Sequence, residues 1–222
     1  MKPFLLSLYD YTGTWSQPYV DAGWKVMRWD KQIDGCVLER FSWIESMIEE
    51  ETGGNIQGLL AAPPCTAFTS SGAVFWPQKD QPTEEYFPFD SFTEYMVGLT
   101  LIVLHAVDVF QPDFWALENP VGRIEKLIPE LRQYRRMMFD PCDFGDPYTK
   151  KTILWGEFNA NLKTNPVEPE YIIASNGNRY SKMFWYHKSK NIRSKTPEGF
   201  ARAFYQANNE SLQFRKQMKL AI

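Results

Sequence analysis

The chain has 222 residues, 44% of them apolar, and a formal net charge of −3. That length suits one domain with a sizeable core and room for a small insert. The charge balance excludes a globally basic nucleic-acid binder, so any basic footprint must be local. The three cysteines, Cys36, Cys65 and Cys142, include no CxxC pair. This argues against a disulfide framework or a zinc site and predicts a reducing, cytoplasmic setting.

Met1-Lys2-Pro3 leads directly into a strand over Phe4 to Tyr9, and no signal peptide or spanning segment is read there. Asp10 to Ser16 is a small-residue turn, followed by a short helix that Gly23 ends. Such a turn lets a ligand approach the backbone and the helix start. Lys25 to Trp29 is a second strand, ending at Asp30. An acid there is either a solvated loop residue or a partner for ribose hydroxyls.

Val37, Phe41, Ile44 and Ile48 recur at helical spacing, and Gly53-Gly54 stops that helix. Its acidic end, Glu49 to Glu51, reads as a solvated face. Gly58 to Ala62 is an apolar run that two prolines end, and Cys65 follows. Proline cannot continue a central strand, so Cys65 stands just past a strand's carboxyl end. A cysteine there is either an inert packed thiol or a reactive one. Thr66 to Asp90 lacks periodicity but carries aromatics, which predicts a mobile lid beside Cys65.

Phe92 to Phe110 is a long apolar helix. Asp108 and His105 on it mark a core helix rather than a membrane span, with His105 a packing residue rather than a base. Phe114 to Leu117 is a strand that runs into Glu118-Asn119-Pro120. Arg123 to Tyr134 reads as a helix interrupted at Pro129, and Arg135 to Phe139 and Thr152 to Trp155 as strands. Strands alternating with helices predict an α/β fold with a mostly parallel, doubly wound sheet. Residues 157–195 change character. From Asn176 to Lys195, Arg179, Lys182 and Lys188 are interleaved with Tyr180, Phe184, Trp185 and Tyr186, with no acid. That is either a nucleic-acid surface or a solvated basic loop. Thr196-Pro197-Glu198 starts a last helix, with Phe200, Ala203, Phe204 and Ala207 as its buried stripe.

Pro63-Pro64-Cys65 resembles the Pro-Cys nucleophile motif of the DNA cytosine-5 methyltransferase family. Glu118-Asn119-Pro120 resembles its Glu-Asn-Val motif, and Leu8-Tyr9-Asp10-Tyr11-Thr12-Gly13-Thr14 its cofactor motif. Asp30 is placed like that family's ribose-binding acid. Cys142 also follows a proline, but it comes after Glu118, the wrong order for the family. The chain departs from the pattern twice. Tyr11 takes the first glycine position, and Tyr148-Thr149-Lys150-Lys151-Thr152 stands where a Gln-x-Arg-x-Arg motif is expected.

The resemblance implies a Rossmann-like methyltransferase fold with catalytic residues 1–156, a short recognition region 157–195 and a C-terminal helix 196–222 packing back. It implies S-adenosyl-L-methionine as cofactor, held by Tyr9, Asp10, Thr12, Gly13, Thr14, Asp30, Asp34 and Pro63. Cys65 is the implied nucleophile and Glu118 the proton-sharing carboxyl group. DNA contacts fall to Pro64, Asn119, Lys150, Lys151, Arg179 and Lys182, with no metal and no membrane. The short recognition region resembles compact enzymes of bacteriophages and mobile elements. An RNA cytosine-5 methyltransferase, a binder without turnover and transfer of another group are the competing readings.

Overall fold

The computed structural model describes residues 2–181 and 190–209. Lys182, Phe184, Trp185, Tyr186, Lys188 and the chain from 210 to 222 lie outside the described residues. One six-stranded sheet is built from β1 (Phe4–Leu8), β2 (Lys25–Trp29), β3 (Gly58–Ala61), β4 (Phe114–Pro120), β5 (Arg135–Phe139) and β6 (Thr152–Glu157). Their order is β2-β1-β3-β4-β6-β5. The strands from β2 to β4 pair in parallel, while β6 is antiparallel to both β4 and β5. Parallel neighbours need a crossover, and helices supply it between β1 and β2, β2 and β3, and β3 and β4, whereas β5 and β6 are joined through a 3-10 turn (Pro141–Phe144) and pair as antiparallel neighbours. The sheet is therefore mostly parallel, with one reversed strand.

Helices cover both faces. On one side α2 (Val37–Thr52) and α4 (Phe92–Phe110) pack on Leu6, Leu8, Leu59, Ala61, Trp115 and Leu117. On the other, α1 (Gln17–Asp21) and the C-terminal helix (Glu198–Asn209) meet Leu5, Leu60, Phe114, Ala116 and Leu154. Successive strand residues thus alternate between two cores, as the pleat requires, and every residue of β1 and β3 is buried. Phe200 stacks on Phe139 at 4.1 Å, and Phe204 meets Trp15 edge-on at 5.7 Å. Such pairs add about 0.5–1.5 kcal/mol each beyond their area. Ala207, expected in that stripe, is only half-buried, and Asn208 takes the buried place.

Several elements differ from the sequence reading. Glu118, Asn119 and Pro120 lie inside β4 rather than past its end. Parallel pairing with β3 stops at Leu117, but antiparallel β6 carries β4 on to Pro120. The helix expected over 123–134 is a single α-turn, α5 (Ile124–Leu127), and then a 3-10 turn (Pro129–Gln133), because proline cannot donate inside a helix. The segment from Thr66 to Asp90 contains a 3-10 turn (Ser70–Phe75), the one-turn helix α3 (Trp76–Lys79) and a second 3-10 turn (Glu84–Tyr86). The 157–195 region holds an unexpected hairpin, β7 (Tyr171–Ile173) with β8 (Arg179–Ser181). Helix α4 has the length and hydropathy of a membrane span. It is not buried all round: Met96, Leu99, Val103, Ala106 and Phe110 face the core, while Leu101, Val109 and His105 are exposed. His105 lies against Phe41 at 5.1 Å.

Candidate active site

The chain leaves β1, β2, β3 and β4 at one sheet edge, the edge where doubly wound sheets bind ligands. Tyr9, Asp30 and Cys65 follow the first three strands, and Glu118 lies near the end of the fourth. Cys65 and Glu118 are 53 positions apart in the sequence, and a set of cross-links holds their segments together. Asn119, fully buried, donates from Nδ2 to the Pro63 carbonyl (2.9 Å). Ser70 N donates to the Val121 carbonyl (3.0 Å), and Arg123 N to that of Phe68 (2.9 Å). Gly122 makes this approach possible, since a Cβ there would run into the Phe68 carbonyl. Cys65 itself opens a tight turn: Phe68 N and Thr69 N both donate to its carbonyl, at 2.9 and 3.0 Å.

Glu118 is buried, at 6% exposure, and the Lys150 ammonium lies 3.7 Å from its Oε1. Lys150 is fixed in turn by its backbone N–H, which donates to Asp140 Oδ1 (2.9 Å). Lys150 reaches this point through the turn before β6, which runs beside β4. Its head is therefore inside the site, not free on a phosphate-facing surface.

Burial pushes the half-buried Cys65 thiol above its ordinary pKa; Lys150 opposes this, Glu118 adds to it, and Lys79 pulls down. Cys142 differs: burial and then the carboxylates of Asp143, Asp140 and Glu168 push its thiol up, and a backbone hydrogen bond opposes them. Of these two, Cys65 is the one beside which cations, Lys150 and Lys79, favour the thiolate. Cys65 labelling by iodoacetamide should be slow near neutral pH and rise as the pH passes above the ordinary thiol range. Lys150→Met should slow it further at fixed pH, and Glu118→Gln should speed it. Peptide mass spectrometry reads both; a rate indifferent to Lys150→Met would mean that the ammonium does not act on the thiol.

Arg123, which sequence reading passed over, ties the two segments to the region beyond Cys65. Its Nε donates to the Ala67 carbonyl (2.9 Å), and its two terminal nitrogens grip both Asp80 oxygens at 2.6 and 2.7 Å. It also donates to Thr93 on α4 (3.1 Å) and lies 4.6 Å above the Trp76 ring. The Arg123 side chain is 11% exposed. Arg123 holds Asp80 below the ordinary carboxylate range. Lys79 adds a bond from Nζ to the Thr66 carbonyl (2.7 Å). The segment expected as a mobile lid is therefore clamped along its first half.

At the other end of the edge, the chain turns sharply out of the sheet: Tyr9 has φ +61° and Gly13 φ +69°. Asp10 Oδ2 accepts from Ser7 Oγ (3.0 Å), Ser16 N (3.1 Å) and Ser16 Oγ (2.7 Å), so that oxygen is taken up in holding the turn. Thr12 and Thr14 share a hydroxyl contact of 3.0 Å. Arg28, on β2, lays its guanidinium on the open side of Gly13, where a Cβ would collide with it. Asp30 accepts from Gln32 N (2.9 Å) through Oδ1, and Asp34 accepts from Asp30 N (3.2 Å), so Asp34 braces the acid's loop. Tyr9 donates to the Leu99 carbonyl on α4 (2.6 Å). Tyr11 lies at the surface, 39% exposed. The residues fit a nucleoside with a charged amino-acid tail. They offer a positive-φ turn at Tyr9 and Gly13, an acid at the end of β2, and a cation beside Gly13.

The remaining candidates scatter. Pro63 is buried and Pro64 half-buried beside Cys65. Lys151 is exposed past Lys150. Arg179 lies on the β7–β8 hairpin, its guanidinium 4.1 Å over the Tyr171 ring. Lys182 lies outside the described residues. Tyr148 is buried near Glu118; burial first, then Asp146 and Glu118, keep its phenol protonated. Arg28, Arg123 and Tyr148 carried no sequence signal beyond type, since their partners are remote in the chain. Among the described residues no cluster of three or more His, Cys, Asp and Glu side chains is disposed to hold a metal ion.

No protein-family model matches the chain, and no curated protein matches it. Solved structures with related shapes include an E. coli prophage-encoded protein assigned as a DNA modification methyltransferase. It is 14% identical with a TM-score of 0.48, over 76% of this chain and 52% of that one. The Entamoeba histolytica methyltransferase EhMeth is 12% identical, TM-score 0.45, over 77% and 58%. A mutant of Spodoptera frugiperda DNMT2 is 16% identical, TM-score 0.41, over 85% and 60%. The chain thus spans about half to three-fifths of the lengths of these proteins. Its own strand order and connections make it a Rossmann-like, mostly parallel and doubly wound α/β fold.

Proposed function

We propose that the protein methylates carbon-5 of cytosine in DNA through a covalent adduct at Cys65. The reading rests on one observation. A thiol, a buried carboxyl group and an ammonium, from three separate segments, share one sheet edge beside a positive-φ turn and a strand-end acid. Carbon-5 of cytosine is a poor nucleophile. Cys65, as thiolate, adds to carbon-6, and the displaced electron pair runs through the ring to nitrogen-3. Glu118 shares a proton with that nitrogen, so carbon-5 becomes enamine-like. Lys150 offsets the negative charge that Cys65 and Glu118 concentrate at the site.

S-adenosylmethionine, held by the Tyr9 to Thr14 turn with Asp30 toward the ribose, supplies an electrophilic methyl group when bound. Loss of the carbon-5 proton to a base then re-forms the ring double bond, expels the Cys65 thiolate and returns the shared proton to Glu118. A side chain at a sheet edge cannot reach carbon-6 in a stacked duplex, so the cytosine must leave the stack. Lys151, Arg179 and the basic stretch after it supply backbone contacts, and binding weakens as salt rises.

The test is incubation with cytosine-containing DNA and S-adenosylmethionine, digestion, and mass spectrometry of the nucleosides. A deoxycytidine heavier by one CH2 unit is the expected product. Unmodified DNA alongside modified RNA would move the substrate to RNA, and no modified base at all would leave a binder without turnover.

A further inference from the structure

An open groove runs along the outside of the clamped segment, starting at Thr66, the residue after Cys65. Two aromatic residues, Phe75 and Tyr86, and two amide residues, Gln78 and Gln81, are among those that line it. We infer that this groove binds an unpaired nucleobase adjacent to the target cytosine on the same strand. The inference rests on the proposed function and adds a second base site to it.

Three features favour that occupant. First, the aromatic residues are held in place before any ligand arrives. Tyr86 stacks on Tyr95 of α4 at 5.4 Å and 21°, with Phe92 edge-on at 5.2 Å. Lys79, bonded to the Thr66 carbonyl, lies 5.7 Å over the Phe75 ring. The Arg123–Asp80 grip fixes the end of α3. Preformed aromatic faces are what base stacking needs.

Second, the polar groups suit a base edge. Gln81 donates from Nε2 to the Pro77 carbonyl (3.2 Å), which leaves its oxygen as an acceptor. A carboxamide offers donor and acceptor together, the pairing that a base edge presents. Glu85, which also lines the groove, takes a hydrogen bond from Tyr86. Third, Lys79 retains two ammonium donors after its bond to Thr66 and can meet the phosphate between the two nucleotides. Thr66, which lines the groove, directly follows Cys65 in the chain, so the groove adjoins the segment that carries the reacting residue.

The probe is a short single-stranded DNA with one cytosine, intact or abasic at either neighbouring position, titrated with S-adenosylhomocysteine present. Fluorescence anisotropy should show that removing one neighbouring base weakens binding about tenfold, within the range for a stacked base. Phe75→Ala and Gln78→Leu change exposed side chains and should bind the intact and abasic strands alike. Equal wild-type affinity for all three strands overturns the groove site while sparing the methyltransferase reading. Failure of the wild-type protein to bind the intact strand overturns the groove site as well, and the nucleoside mass spectrometry decides the methyltransferase reading separately.

Discussion

Replacing Cys65 by alanine should abolish cytosine modification, by roughly four orders of magnitude or more, and leave S-adenosylmethionine binding unchanged. The turn around Cys65 is made by its backbone: Phe68 and Thr69 donate to its carbonyl, not to its sulfur. Alanine keeps that turn and removes only the thiol. The proposed cofactor turn hangs from β1 and is braced by Asp10, Ser7 and Ser16, none of which touches Cys65. Covalent trapping separates Cys65 from its rival. DNA carrying 5-fluorocytosine cannot release the ring carbon-5 substituent as a proton, so the wild-type protein should accumulate a stable protein–DNA adduct. Cys142→Ala should form it as well, and Cys65→Ala should not. An adduct that survives in Cys65→Ala and vanishes in Cys142→Ala would reassign the nucleophile. Equal loss of activity and cofactor binding in Cys65→Ala would make Cys65 structural.

The strands were legible because each is a short apolar run that a breaker ends: Gly58 to Ala61 before Pro63, and Phe4 to Leu8 before the Asp10 turn. Helix α4 was readable over its full span, from Ser91, whose hydroxyl accepts from Glu94 N, to Phe110. What periodicity cannot carry is pairing between distant segments. The extension of β4 through Glu118 depends on β6, which arrives more than thirty residues later along the chain. Lys150 looked like a surface cation because sequence gives only its charge. Its place beside Glu118 comes from the β5–β6 connection folding back over the sheet edge. The region from Thr66 to Asp90 looked like a lid for the same reason. It has little regular structure of its own, and what orders it is Arg123, 43 positions from Asp80. The hairpin at Tyr171 and Arg179 has strands of three residues each, too short to show an alternation in hydrophobic patterning.

That grip makes Arg123 a positioning residue, and its replacement should misplace Cys65 without touching the chemistry directly. Arg123→Ala removes a bidentate pair, a bond to the Ala67 carbonyl, one to Thr93 and a cation–π contact. Hydrogen bonds from a charged donor contribute about 1.5–3 kcal/mol each, and part-exposed ion pairs less, about 0.2–1 kcal/mol. A loss of about 3 kcal/mol in unfolding free energy is expected for Arg123→Ala. About 1 kcal/mol is expected for Asp80→Asn, whose partner keeps its other bonds.

The kinetic signature should be specific. A displacement of about an ångström at a reacting group costs on the order of a hundredfold in rate, so kcat should fall by that order while cofactor affinity holds. Arg123→Lys should not restore it, because an ammonium cannot reproduce the two-pronged grip on Asp80 together with the bond to Ala67. The pH dependence has a definite sign. Arg123 depresses the Asp80 carboxyl below its ordinary value of 3.8. The stabilisation is therefore complete above that value and is lost as the pH falls through the lower folded-state value. Denaturant melts of the wild type, Asp80→Asn, Arg123→Ala and the double variant would give the coupling. A coupling energy near zero, or kcat unchanged in Arg123→Ala, would mean that the segment after Cys65 is positioned by the Asn119–Pro63 and Val121–Ser70 bonds alone.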